Sequence, residues 1–160
     1  MKRYFWTVML WVCLGSPCFG EMFRQKESLF QIDVPDGWQW VEGSDAVKIV
    51  NRGGNGISIQ FTAGKWSEEE ASHALRIGNQ RMIDMVVTPS GGRVLNETET
   101  RIGGVHGRVL EFVLQKGAEA GHVSYTSIIN KDHVFTITFG GPKEEENLEM
   151  KKIVDSLRFL

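Results

Sequence analysis

Residues 122–160, HVSYTSIINKDHVFTITFGGPKEEENLEMKKIVDSLRFL, decide how this 160-residue chain is read. Two runs, 122–130 and 133–139, are split by the turn-like Lys131-Asp132. In the second, Phe135, Ile137 and Phe139 alternate with Val134, Thr136 and Thr138. Successive side chains of a pleated strand point to opposite faces, so a period of two predicts a strand. Gly140-Gly141-Pro142 ends that run, and proline is tolerated just ahead of a first helical turn, where its missing N–H costs nothing. Over 143–158, Met150, Ile153, Val154 and Leu157 recur at i, i+3, i+4 and i+7 as one apolar stripe. Glu144, Glu145 and Glu146 open this segment while Lys151, Lys152 and Arg158 lie nearer its end, as the helix macrodipole favours. The stretch predicts a hairpin with a helix laid across one sheet face.

Working outward, Val105, Val109 and Val113 alternate with Leu110, Phe112 and Leu114. A strand apolar on both faces is expected to be covered on both. Gly103-Gly104 turns it back on 93–102 (RVLNETETRI), which carries β-formers with little apolar burden and belongs at a sheet edge. Ser67 and Glu70 form a capping box ahead of a helix running to Val87. Its face is Ala71, Ala74, Leu75, Gly78, Met82, Met85 and Val86. Before it lie strands at 30–34, 46–51 and 57–62, the last two joined by the glycine-rich turn 52–56. Three strands, a helix, four strands and a helix predict one α+β domain over 21–160. Its mainly antiparallel sheet is flanked by a helix on each face, an αβα sandwich.

The first twenty residues stand apart. Lys2 and Arg3, an apolar run over 4–14 and small residues before Glu21 have the layout of a secretory signal peptide cut after Gly20. The run is too short to cross a bilayer comfortably. A membrane anchor and lipid attachment at Cys18 are the alternatives, the latter poorly matched by Pro17. Cleavage there removes both cysteines, Cys13 and Cys18, and with them disulfides, thiolate metal sites and cysteine nucleophiles. It leaves 16 basic residues against 20 acidic, a net of −4 without a basic cluster, so nucleic acid is not an expected partner. A periplasmic or extracellular location follows, with no membrane span after signal removal.

Three motifs give the chain a family likeness. FQIDVPDGW at 30–38 opens the domain, GVHGR at 104–108 precedes a long strand, and IVDSLRF at 153–159 closes it. In this order and spacing the chain resembles the PsbP-like superfamily from Leu29 to Leu160. That superfamily holds extrinsic proteins of photosystem II, exported bacterial proteins and a eukaryotic factor that binds a small GTPase. The resemblance implies an αβα sandwich, a core position for Trp38, and a binding or assembly role without a shared reaction. With no photosynthetic signature in the chain, it implies no photosystem partner.

Few residues offer chemistry. His106, His122 and His133 fall near starts of neighbouring strands, with Glu111 and Asp132 close in sequence, and are the only candidate metal set; His73 lies on a polar helix arc. Antiparallel strands start at opposite ends, so the three need not converge. No Gly-x-Ser-x-Gly elbow surrounds Ser90, Ser124 or Ser127. Arg52–Gly56 lacks the lysine–serine of a phosphate loop and reads as a hairpin turn. Trp40 and Trp66 are the candidate partner anchors, with Arg52 and Asn55 of the turn beside them, because tryptophan is enriched at interface hot spots. At Trp66 the plainer reading is a staple contact with Ala71. The expectation is an exported, non-enzymatic binding or assembly-accessory domain with a protein or small-ligand partner and no cofactor. The alternative is a metal-assisted hydrolase built on the surface histidines.

Overall fold

The computed structural model describes residues 20–160 except 28, 117 and 118. All but Gly20 of the expected signal segment lies outside the described residues. Five strands come first: β1 (Glu21–Arg24), β2 (Phe30–Val34), β3 (Trp38–Glu42), β4 (Ala46–Asn51) and β5 (Gly56–Ala63). Helix α1 (Glu68–Met82) runs into a π-helical turn over Ile83–Val87. Then come β6 (Arg93–Ile102), β7 (Val105–Lys116), β8 (Glu119–Asn130), β9 (His133–Gly141), α2 (Glu144–Asp155) and β10 (Arg158–Phe159). Seven strands form an antiparallel sheet in the order β3-β4-β5-β9-β8-β7-β6, with β6 at the edge its composition predicts. Strands β1, β2 and β10 make a second, three-stranded sheet. No helix among the described residues is long and apolar enough to cross a membrane.

Strand alternation assigns the faces. Ile57, Ile59 and Phe61 stand opposite Phe139, Ile137 and Phe135. With Val47 and Ile49 they form the floor on which α2 and the small sheet lie. Met150, Ile153, Val154 and Leu157, none more than 3% exposed, close that core. On the opposite face Leu110, Phe112 and Tyr125 meet Val87, with Met82 and Ile83 against them. Helix α1 therefore covers β7 and β8 on one face, while α2 covers β9 and β5 on the other. The two covers are offset diagonally, and one half of each face is left open.

The expected αβα arrangement is present, with differences at four places. Residues 21–24, expected as a loose lead-in, form a strand because Phe23 buries against Phe30 and Trp40. Residues 38–42 form a strand not expected from their sequence, paired along β4. Helix α1 starts at its capping box, where Ser67 Oγ accepts the Glu70 N–H and Glu70 Oε2 accepts the Ser67 N–H. Past Met82 the backbone loosens, and the Thr88 N–H donates to the Ile83 carbonyl five residues back at 2.9 Å. That bulge turns the helix face: Val87 is buried, while Met85 and Val86, expected in the apolar stripe, are 74% and 39% exposed. Helix α2 stops at Asp155 rather than Arg158. The Ser156 hydroxyl donates to the Ile153 carbonyl at 2.6 Å and accepts the Asp33 N–H at 3.0 Å, and the chain leaves to pair along β2.

Candidate functional site

The three histidines do not meet. Gly107 stands opposite Ile128, whose side chain faces α2, so His106 next to it points to the other face, exposed beside Arg101. His122 and His133 share the α2 face but stand opposite Gly141 and Asn130, at the two ends of β9. The nine residues of β9 span the gap between them, about 26 Å. The expected metal set is thereby overturned, and no cluster of His, Cys, Asp and Glu suited to a metal occurs among the described residues. His133 Nδ1 lies 2.8 Å from Asp132 Oδ1, and this hydrogen bond holds the Asp132 carboxyl below the usual range.

The tryptophans are likewise dispersed. Trp38 is buried, and its Nε1–H donates to Glu149 Oε1 at 2.9 Å. Trp40 is half-buried with its ring centroid 5.4 Å from that of Phe23. Trp66 is half-buried and lies over Gly64, where an added Cβ would overlap its ring. Arg52 is exposed, and Asn55 is tied into its own turn by Asn51, which accepts its N–H at 3.0 Å. That turn precedes β5 and Trp66 follows its far end, an eight-residue strand of about 23 Å. The single rim expected to hold Trp40, Trp66, Arg52 and Asn55 does not form.

What does form is a cleft of about 490 Å³ between α2 and the half of the sheet that α2 leaves open. Its origin is visible along the rows of the sheet. The row through Ile59 and Ile137 is core, and it continues into Thr126, Val109 and Thr98. The next row runs from Ile57 and Phe139 into Ser124, Glu111 and Asn96. Where the helix above ends, apolar floor gives way to hydroxyl and carboxylate. Ser124 and Thr126 are buried in this floor, and Val109, Glu111 and Val113 are half-buried beside them. Asn147, Leu148 and Lys151 of α2 form the roof, and the exposed Leu95 and Leu148 make apolar lips.

Charged and polar side chains of the lining set the electrostatics of the cleft. Lys151, its only lysine or arginine among the described residues, pairs with Asp155 at 2.7 Å. Glu111 and Glu144 have no ion-pair partner among the described residues. Asn147 is 9% exposed; its Nδ2 donates to the Gly141 carbonyl at 3.2 Å, and its Oδ1 has no partner among the described residues. A buried acceptor left without a donor costs about 1–3 kcal/mol. The sequence signal for the cleft was the second apolar face of β7. Val109 and Val113 line an open space instead of lying under a second cover, and the charged Glu111 between them marks the difference.

The polar groups under α1 contrast with this because they are mutually satisfied. Asn79, fully buried, donates through Nδ2 to Glu97 Oε1 at 2.9 Å and accepts from the Ser127 hydroxyl at 3.4 Å. Arg108 pairs with the same Glu97 at 3.1 Å and approaches Glu99 at 3.8 Å. The Asn79 amide first, and Arg108 after it, hold the Glu97 carboxyl below its usual range against the opposing cost of burial. Burial pushes the Tyr125 phenol upward in the cluster next to them.

No protein-family model and no curated protein match this chain. Solved structures do. A Bacteroides thetaiotaomicron protein aligns with a TM-score of 0.65 at 15% identity, covering 88% of this chain and 48% of its own, so this chain spans about half its length. PsbP of the cyanobacterium Synechocystis sp. PCC 6803 gives 0.66 at 12% identity over 94% of this chain and 99% of its own. The Ran-binding protein Mog1p of Saccharomyces cerevisiae gives 0.58 at 10% identity, over 87% of this chain and 94% of its own. At such identities the likeness is one of fold. The fold is PsbP-like, as the motifs at 30–38, 104–108 and 153–159 imply.

Proposed function

We propose that this chain is an exported binding domain without catalytic activity, and that the cleft between α2 and β6–β8 seats its ligand. The observation carrying this reading is an apolar-walled space of about 490 Å³ floored by the buried Ser124 and Thr126 and the half-buried Glu111, with Asn147 in its roof. That size falls in the roughly 300–1,000 Å³ range of small-ligand sites, which combine apolar walls with a few placed polar groups. The dispersed histidines and the satisfied network under α1 favour binding over turnover, since a catalytic set needs groups within hydrogen-bond reach. Mog1p, a Ran-binding protein, gives binding a precedent on this fold.

Native mass spectrometry of the chain purified from its own cell envelope tests the site. The parent is expected to carry a non-covalent mass that Val109→Trp, which fills the floor, has lost. The same mass on both proteins, or on neither, overturns the reading. Export is tested on the same material: the chain should begin near Glu21 without a thiol, and an intact Met1 or a lipid on Cys18 would contradict it.

A further inference from the structure

We infer that the ligand class suited to this cleft is a small amphipathic amine, an apolar body ending in a primary ammonium; the inference rests on the cleft being the binding site. The walls are supplied by Leu95, Ile102, Val109, Phe139 and Leu148. They ask for a hydrocarbon body. The polar groups ask for a donor. The carboxylates of Glu111 and Glu144 accept only, and Asn147 has spent its Nδ2 on Gly141. The Ser124 and Thr126 hydroxyls serve either role, as does the His122 imidazole. Lys151, the one lysine or arginine among the described lining residues, is paired with Asp155 at 2.7 Å. A carboxylate head would meet the carboxylates of Glu111 and Glu144 with no unpaired lysine or arginine among the described lining residues, whereas an ammonium brings three N–H donors and the opposite charge. The N-terminus of α2 argues the other way, with the equivalent of about half a positive charge. Glu144 and Glu145 in its first turn offset it, Glu146 being paired with Lys143 at 3.0 Å.

Three probes of equal chain length separate the contributions: decylammonium, decanol and decanoate, titrated calorimetrically at neutral pH below their aggregation limits. Decylammonium should bind most tightly and decanoate at least about tenfold more weakly, the scale of one charge-assisted contact. Glu111→Gln should weaken decylammonium about tenfold and leave decanol unchanged. Leu148→Lys, at an exposed lip where folding is not at stake, should weaken decylammonium and strengthen decanoate. Equal binding of all three probes, lost together in Val109→Trp, would leave the cleft a binding site and overturn the amine assignment alone. Decylammonium binding that Val109→Trp does not touch would overturn both readings. Failure of all three probes to saturate, or tighter binding by an apolar lysine-containing peptide than by decylammonium, would overturn the assignment to a small amine.

Discussion

The two helices cover the sheet by different means. Helix α2 is seated by Met150, Ile153 and Val154, with Leu157 just past its end, on a floor of isoleucine and phenylalanine. Helix α1 is seated by a short apolar cluster at its end and by a buried asparagine shared with Glu97 and Ser127. Apolar burial scales with area and is indifferent to direction, whereas a buried amide is stabilising only where its partners stand. One helix is held by area and the other by aim.

The contrast can be broken by substitution. Leu157→Ala should cost about 2–5 kcal/mol, from lost burial and the cavity left behind. If it melts with the parent, α2 is not seated as described. Asn79→Ala should cost about 1–3 kcal/mol, chiefly by leaving Glu97 and Ser127 without their partner. In a double-mutant cycle it should couple to Glu97→Gln and be additive with Leu157→Ala; coupling to Leu157 instead would remove the distinction between the helices. Ser67→Ala, which deletes the capping box, should cost about 1 kcal/mol and act on α1 alone, read as faster amide exchange over 68–82 with α2 unchanged.

The smallest effect is one of pH. The folded Glu97 carboxyl lies below its unfolded value, so its contribution is complete above the ordinary glutamate range. It is lost as pH falls through that range towards the lowered folded value. With its side chain 35% exposed, solvent screening keeps the effect modest. Acid should lower the melting temperature of the parent more than that of Glu97→Gln, and equal slopes would remove Glu97 from the account.

Local patterns carried most of the fold. The alternation over 133–139 and the stripe through Met150, Ile153 and Val154 are each read within a few residues, and both are present as expected. What was not legible is non-local or depends on one backbone choice. Residues 38–42 become a strand only beside β4, and 158–159 only beside β2. Nothing within residues 82–88 announces a five-residue hydrogen bond, yet it decides that Val87 and not Met85 is buried. The site was less legible still. Aromatic content drew attention to Trp40 and Trp66, which pack against Phe23 and Gly64. The cleft depends on how far α2 reaches across the sheet, a property of its seating on β9 that no spacing along β7 encodes.

The short strand β10 has a consequence for the order of assembly. Arg158 stands opposite Gln31 and Phe159 opposite Phe30, while the Leu160 N–H donates to the Leu29 carbonyl at 3.1 Å. Every one of these contacts ties nearly the earliest described residues to the latest, and such closures are the slow, entropically costly kind. The hairpins of the large sheet can form as the chain is made. Phe30, fully buried beside Phe135, keeps an open flank until 158–160 arrive. Residues 29–31 therefore stay unlatched until 158–160 have been made.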